Sequence, residues 1–197
     1  MLLELLIIVV AYCIGSIPSG LLIARARGVH DIRSHGSGNI GATNVARVLG
    51  YKFFLIVFFA DCFKAYGFLT LVQSYGADVL FVCFVGAALV IGNGASLFLR
   101  FRGGKGIATI MGLLLALDPW IAAYVFIVWL VVFLIIRTVG IASVAALLAL
   151  PLITYLLICH EAHFFTLSCF IALFGLYLHR DNIFRFYNEA CNRSKAN

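Results

Sequence analysis

Acidic side chains are scarce in this chain, eight Asp and Glu against 14 Lys and Arg in 197 residues. Charged residues of both signs make up only 11% of it, where a soluble domain carries about 25%. That deficit excludes a disordered chain, an ordinary soluble enzyme core and a coiled coil. The six cysteines, Cys13, Cys62, Cys83, Cys159, Cys169 and Cys191, form no C-x-x-C pair and no cluster. They read as small apolar packing residues. Carboxylates are too sparse for a magnesium-holding aspartate cluster, and there is no His-x4-Asp pair and no G-x-S-x-G nucleophile elbow. No metal or cofactor is therefore expected.

Apolar residues are abundant, at 64%, and 18 of the residues are Phe. The fold class expected is an all-α integral membrane protein, a bundle of about seven transmembrane helices forming one polytopic domain over residues 1–197. The spans read as Leu5–Ala24, Phe53–Tyr75, Val79–Leu99, Ile107–Leu117, Pro119–Ile136, Ile141–Ile158 and Phe164–Leu178. With the N-terminus outside and the C-terminus cytoplasmic, the loops near 25–52, 100–106 and 137–140 and the tail 180–197 fall inside. All basic residues except Lys64 then lie on that face, as the positive-inside rule requires. The net charge of +6 is thus read as membrane orientation, with the lipid bilayer as partner and no nucleic acid. The first span carries Glu4, lacks a basic leader and runs on into further spans, so it is not a cleavable signal peptide.

Glycines and basic residues concentrate on the cytoplasmic side, which is where chemistry is expected. In the first loop, Gly36, Gly38 and Gly41 match G-x-G-x-x-G, but a membrane span precedes them, so no dinucleotide fold is implied. The anion-binding physics remains. Glycine backbone can approach a phosphate closely, Ser37, Asn39, Thr43 and Asn44 add neutral groups, and Arg47 adds a fork for phosphate oxygens. The second element, Arg100-Phe101-Arg102-Gly103-Gly104-Lys105-Gly106, is no Walker A loop but places three glycines around one lysine. The span after it rises only ~17 Å at 1.5 Å per residue, so the helix is expected to start below the membrane surface or the loop to dip inward, with the positive N-terminal end facing a bound anion. At the end of the last span stand His179 and Asn182, on one helix face if the helix continues.

Within the spans, Asp61 and Lys64 at i, i+3 read as a structural ion pair. The run Gly15-Ser16-Ile17-Pro18-Ser19-Gly20 points to a kink, as does Pro151. His160 and His163 read as residues of the outer interface.

Four segments together resemble a known family, the bacterial membrane acyl-phosphate:glycerol-3-phosphate acyltransferases of PlsY type. They are Gly15–Gly20, Gly36–Asn44, Gly103–Thr109 and His179–Ile183, in order, within a resemblance over about residues 12–185. The resemblance implies seven helices in the bacterial cytoplasmic (inner) membrane. It implies acyl transfer from acyl phosphate to the 1-hydroxyl of glycerol 3-phosphate, giving lysophosphatidic acid and inorganic phosphate, without metal, CoA or other cofactor. By motif, Ser37 and its glycine neighbours Gly38 and Gly41 are expected around the acyl phosphate, and Asn39, Thr43 and Asn44 are further substrate-binding candidates of the same loop. Arg47, Lys105, Ser143, His179 and Asn182 are expected around glycerol 3-phosphate, and Gly103, Gly104 and Gly106 are substrate-binding candidates beside Lys105. His179, Lys105 and Arg47 are the candidate catalytic residues. The chain departs from the family pattern at Asn93 (usually His), Ala65 (Gly), Gly140 (Ser) and a tail without the usual glycine. The competing expectation is a membrane transporter of a phosphorylated small solute, using the same basic loops.

Overall fold

The computed structural model describes residues 1–158 and 161–196, helices and turns with no strand among them. Cys159 and His160 lie outside the described residues. The chain forms two compact units, Met1–Asp118 and Pro119–Asn197.

The first unit contains α1 (Leu2–Ser16), α2 (Ser19–Ala26), α3 (Ala42–Leu49), α4 (Tyr51–Ser74), α5 (Val79–Gly94) and α6 (Ile107–Leu117), with 3-10 turns at Ile32–Ser34 and Leu97–Leu99. The second contains α7 (Pro119–Ile136), α8 (Val139–Leu157), α9 (Ala162–Leu178) and α10 (Arg180–Ala196). Four helical segments are long and apolar enough to cross a membrane: α4, Val79–Leu99, α7 and α8. Two more candidates are bent pairs, α1 with α2 at 42° and α9 with Arg180–Glu189 at 58°, and α6 is a shorter apolar helix. The apolar runs read from the sequence all appear as helices.

In the first unit the expected kink lies at Ile17 and Pro18, between α1 and α2. Proline interrupts the helical ladder and leaves carbonyls without donors. At this break Ile17 O accepts the Ser19 N–H at 3.1 Å and, beside it, Lys64 Nζ at 2.9 Å, which also donates to Asp61 Oδ1 at 2.7 Å. Ser19 Oγ donates to the same Asp61 oxygen at 2.8 Å. The Asp61–Lys64 pair is therefore a brace across the α1–α2 break, as well as a neutralised charge in an apolar span. Helices approach closely through small residues. A Cβ on Gly15 would overlap the Leu89 backbone, one on Gly92 the Tyr12 carbonyl, and one on Gly112 the Cys62 carbonyl. These contacts seat α1 on α5 and α6 on α4. Tyr12 Oη donates to Ala95 O at 2.8 Å and Ser96 Oγ to Ser16 O at 2.6 Å, pinning the end of α5 to α1.

The stretch expected as a loop from 25 to 52 is instead largely folded. α2 extends to Ala26, α4 begins at Tyr51, and α3 lies between them. Ile32, Ile40 and Val45 are buried with Leu21, Ala24, Val57 and Leu99 in a small apolar core. Arg27 lies 5.2 Å from the Phe53 ring centroid, a cation–π contact that ties the end of α2 to α4.

In the second unit α7 packs on α8, with Phe126, Trp129 and Phe133 stacked along one side of α7. Most of its other large side chains are exposed, including Trp120, Ile127, Leu130 and Leu134. Exposed apolar surface of that kind suits a lipid environment. Pro151 sits inside α8, which runs from Val139 to Leu157, so the kink expected there does not divide the helix. The tail is not a simple extension. It is helix α10, turned away from α9 at His179.

Candidate functional site

In the first unit the glycine-rich segment Gly36–Gly41 wraps around Asn44, which is almost completely buried. Asn44 Nδ2 donates to Ile32 O at 3.3 Å, His35 O at 3.0 Å and Asn39 O at 2.8 Å. Asn44 Oδ1 accepts the Ser37 N–H at 2.7 Å. Asn39 Oδ1 accepts the Gly41 N–H at 3.0 Å, and the Gly38 N–H donates to His35 O at 3.1 Å. Several groups expected to face an anion are thus spent inside the loop. Asn44 builds the loop, and its amide is committed to the backbone around it. Ser37 and Gly38 are exposed, Asn39, Gly41 and Thr43 half-buried, and Arg47 is exposed in the last turn of α3. Nearby, Asp31 accepts from the Arg33 guanidinium at 2.8–3.1 Å, and that partner holds its carboxyl down at about 2. The folded-state value lies below the ordinary 3.8, so the pair is intact at neutral pH and is lost only as acid carries the pH down toward 2.

The second loop is moored to the end of α5. The Gly103 N–H donates to Gly94 O at 3.0 Å and the Gly104 N–H to Asn93 O at 2.9 Å. A Cβ at Gly103 would overlap the Asn93 carbonyl, so only glycine fits there. Gly106, at φ 77°, caps α6 in the left-handed region, which costs glycine nothing. Just before it, Arg100 and Phe101 take the same region without that freedom, at φ 53° and 62°. Phe101 is held there by its N–H donating to Ser96 O at 2.8 Å. Lys105 is half-buried between Gly104 and Gly106.

These two loops meet. The Gly104 Cβ position lies 3.4 Å from Ile40 Cγ1, ordinary van der Waals contact. Ile40 is in turn buried over Gly20, where a Cβ would overlap its carbonyl. The first unit therefore brings together Ser37–Thr43, Gly103–Gly106 and the end of α5.

In the second unit His179, Asn182 and Ser143 lie where α8, α9 and α10 meet. His179 is buried, and its Nδ1 pairs with Gly175 O at 2.9 Å. A carbonyl can only accept, so Nδ1 carries a proton. The helix bends at His179, yet the Asn182 N–H still donates to His179 O at 2.9 Å. The Asn182 amide packs on Gly140, where a Cβ would overlap Nδ2. Glycine at 140 is thus matched to Asn182, which gives that departure a physical reason. Ser143 Oγ donates to Val139 O at 2.9 Å and accepts from Trp129 Nε1 at 3.3 Å. Its proton is directed into the helix, so it meets a ligand as an acceptor unless that bond opens. Sequence reasoning missed Asn93 and Ile40 as contacts of the second loop, since neither carries a recognisable spacing.

A family model described as glycerol-3-phosphate acyltransferase matches residues 5–189. The chain belongs to that family. Among similar glycerol-3-phosphate acyltransferases, that of Aquifex aeolicus is 40% identical over 92% of this chain and 94% of its own length. That of Geobacter sulfurreducens is 37% identical over the whole of both chains. The crystal structure of PlsY, an integral membrane glycerol 3-phosphate acyltransferase, in its glycerol 3-phosphate form is 38% identical, with a TM-score of 0.89 over 94% of this chain and 92% of that one. Its lysophosphatidic acid form gives 0.87 at 37% identity and the same coverage. As a member of the glycerol-3-phosphate acyltransferase family, the protein is a multi-pass membrane acyltransferase, and the transporter reading is not favoured.

Proposed function

We propose that the acyl donor is an acyl phosphate and that the acyl group moves to the 1-hydroxyl of glycerol 3-phosphate, at the cytoplasmic face of the bacterial inner membrane. The supporting observation is the contact between two small glycine-rich loops in the first unit, one leading to Arg47 and one carrying Lys105. Each loop is sized for a single phosphate rather than for a nucleotide. In the reaction the hydroxyl oxygen bonds to the acyl carbon and the acyl carbon–phosphate oxygen bond breaks. The electron pair of that bond leaves on inorganic phosphate, and donors on its oxygens stabilise the departing charge.

Ser37 Oγ with Gly38, Asn39, Gly41 and Thr43 would hold the acyl phosphate. Asn44 would act by shaping that segment. Arg47 and Lys105, the latter set by Gly103, Gly104 and Gly106, would bind glycerol 3-phosphate. In the second unit Ser143, His179 and Asn182 are proposed as acceptor ligands by motif. His179 is the protein group proposed to take the hydroxyl proton, and the acceptor's own phosphate, with a second pKa of about 6, is the other available base. The reading includes no metal, no CoA and no cofactor. The seven-span topology, with the N-terminus outside and the C-terminus inside, is part of the same proposal. The test for His179 is kinetic. His179→Ala with a raised KM and nearly intact kcat assigns it to binding, and equal loss in kcat and kcat/KM assigns it to the transition state.

A further inference from the structure

Asn93 stands one residue before the end of α5, and its side chain is buried. Its carbonyl accepts the Gly104 N–H at 2.9 Å while the Gly94 carbonyl accepts the Gly103 N–H at 3.0 Å. The helix end and the glycine loop thus form a short two-rung ladder. The Asn93 amide turns toward the same loop. Its Oδ1 lies 3.3 Å from the position a Cβ would take on Gly104 and 3.7 Å from that position on Gly106. The amide occupies the space left by two missing side chains, on both sides of Lys105 in sequence. A polar amide is a costly filler for an apolar pocket, so at this position it is better suited to shaping a polar loop than to plain packing.

We propose that Asn93 is a positioning residue for glycerol 3-phosphate. It sets the path of Gly103–Gly106 and through that path the direction of Lys105 Nζ. The inference rests on the proposed role of Lys105 as a ligand of the acceptor phosphate. Asn93 acts through the loop and touches no reacting atom. A merely structural role would lower stability and affect both substrates. A positioning role is selective for the acceptor and is lost once Lys105 is gone.

The experiment compares KM for glycerol 3-phosphate and for palmitoyl phosphate in the detergent-purified parent, Asn93→Ala, Asn93→Asp, Lys105→Met and the Asn93→Ala, Lys105→Met double variant. Asn93→Ala is expected to raise the glycerol 3-phosphate KM about tenfold, the scale of a slightly misplaced binding group, and to leave the palmitoyl phosphate KM unchanged. In the Lys105→Met background the same change should add less than about twofold, because both act on one contact. Asn93→Asp keeps the shape but adds an anion under an anion-binding loop, so its glycerol 3-phosphate KM should exceed that of Asn93→Ala. An unchanged acceptor KM in Asn93→Ala beside a raised one in Lys105→Met overturns the role of Asn93 alone. Independent, multiplicative losses in the double variant do the same. An unchanged acceptor KM in Lys105→Met overturns the role of Lys105 and the route proposed through it. If Asn93→Ala does not fold, the isosteric Asn93→Asp decides, and an acceptor KM equal to the parent's overturns the proposal.

Discussion

Replacing Asn44 by alanine tests whether the first glycine loop is a built structure or a flexible linker. The side chain joins four backbone groups, the carbonyls of Ile32, His35 and Asn39 and the N–H of Ser37. A buried polar group left unpaired costs about 1–3 kcal/mol. The His35 and Ser37 groups lie in exposed residues and can turn to water. Ile32 O keeps the His35 N–H at 3.2 Å, which leaves Asn39 O as the group that loses its partner, so the local cost should be about 2 kcal/mol. That free energy acts on the loop rather than on the whole fold. Hydrogen exchange across 32–41 should therefore quicken about thirtyfold, while exchange in α4 and α5 stays near the parent rate. Asn44→Asp sharpens the test. It retains an acceptor for the Ser37 N–H but turns an anionic oxygen toward three carbonyls, so it should open the loop at least as much as alanine does. Exchange across 32–41 unchanged in both variants, with turnover lost, would refute the reasoning and make Asn44 a substrate ligand.

Other consequences follow from the same geometry. Asp61→Asn should destabilise the protein by about 3 kcal/mol, because it leaves the Lys64 charge unpaired in an apolar span. Adding Lys64→Met should recover part of that in thermal unfolding but not all, since Ile17 O then loses its Lys64 donor and keeps only the Ser19 N–H; full recovery would show that the Lys64 contact with Ile17 is idle. Thr109 Oγ1 is buried in the first turn of α6 and has no hydrogen-bond partner among the described residues. Thr109→Val should accordingly hold or raise the unfolding temperature by removing a penalty of about 1 kcal/mol, and loss of turnover in the folded variant would assign the hydroxyl to substrate. For topology, single cysteines at positions 75 and 192 in a cysteine-free background should label from outside and from inside respectively, and the reverse pattern contradicts the proposed orientation.

The long apolar runs were legible because a charged residue or a proline in lipid is costly, which marks where each run ends. The runs 107–117 and 119–136 coincide with α6 and α7, and 79–99 with α5 and its following 3-10 turn. The brace at Asp61 and Lys64 was legible for the same reason, though not its third partner, Ile17 O, which is 47 residues distant. Loop detail was less accessible. Asn44 and Asn39 belong to a motif rich in phosphate-binding chemistry, yet their side chains serve the loop's own backbone. Composition shows that an amide is present but not which partner it takes. The bend at His179 was also hidden, because residues 180–189 continue in helical conformation and only the packing of Asn182 on Gly140 reveals the turn. Asn93 appeared only as a departure from a pattern, and its closeness to Gly104 and Gly106 arises from the return of the chain through Leu97–Leu99.

The proposed donor chemistry is tested most directly by phosphate release from palmitoyl phosphate by purified protein in detergent containing EDTA, with and without glycerol 3-phosphate, beside a parallel assay with palmitoyl-CoA. The expected result is phosphate release that depends on glycerol 3-phosphate, matched by lysophosphatidic acid, persisting in EDTA, with little turnover of the thioester. Comparable rates with palmitoyl-CoA, or no phosphate released in the presence of both substrates, would contradict it.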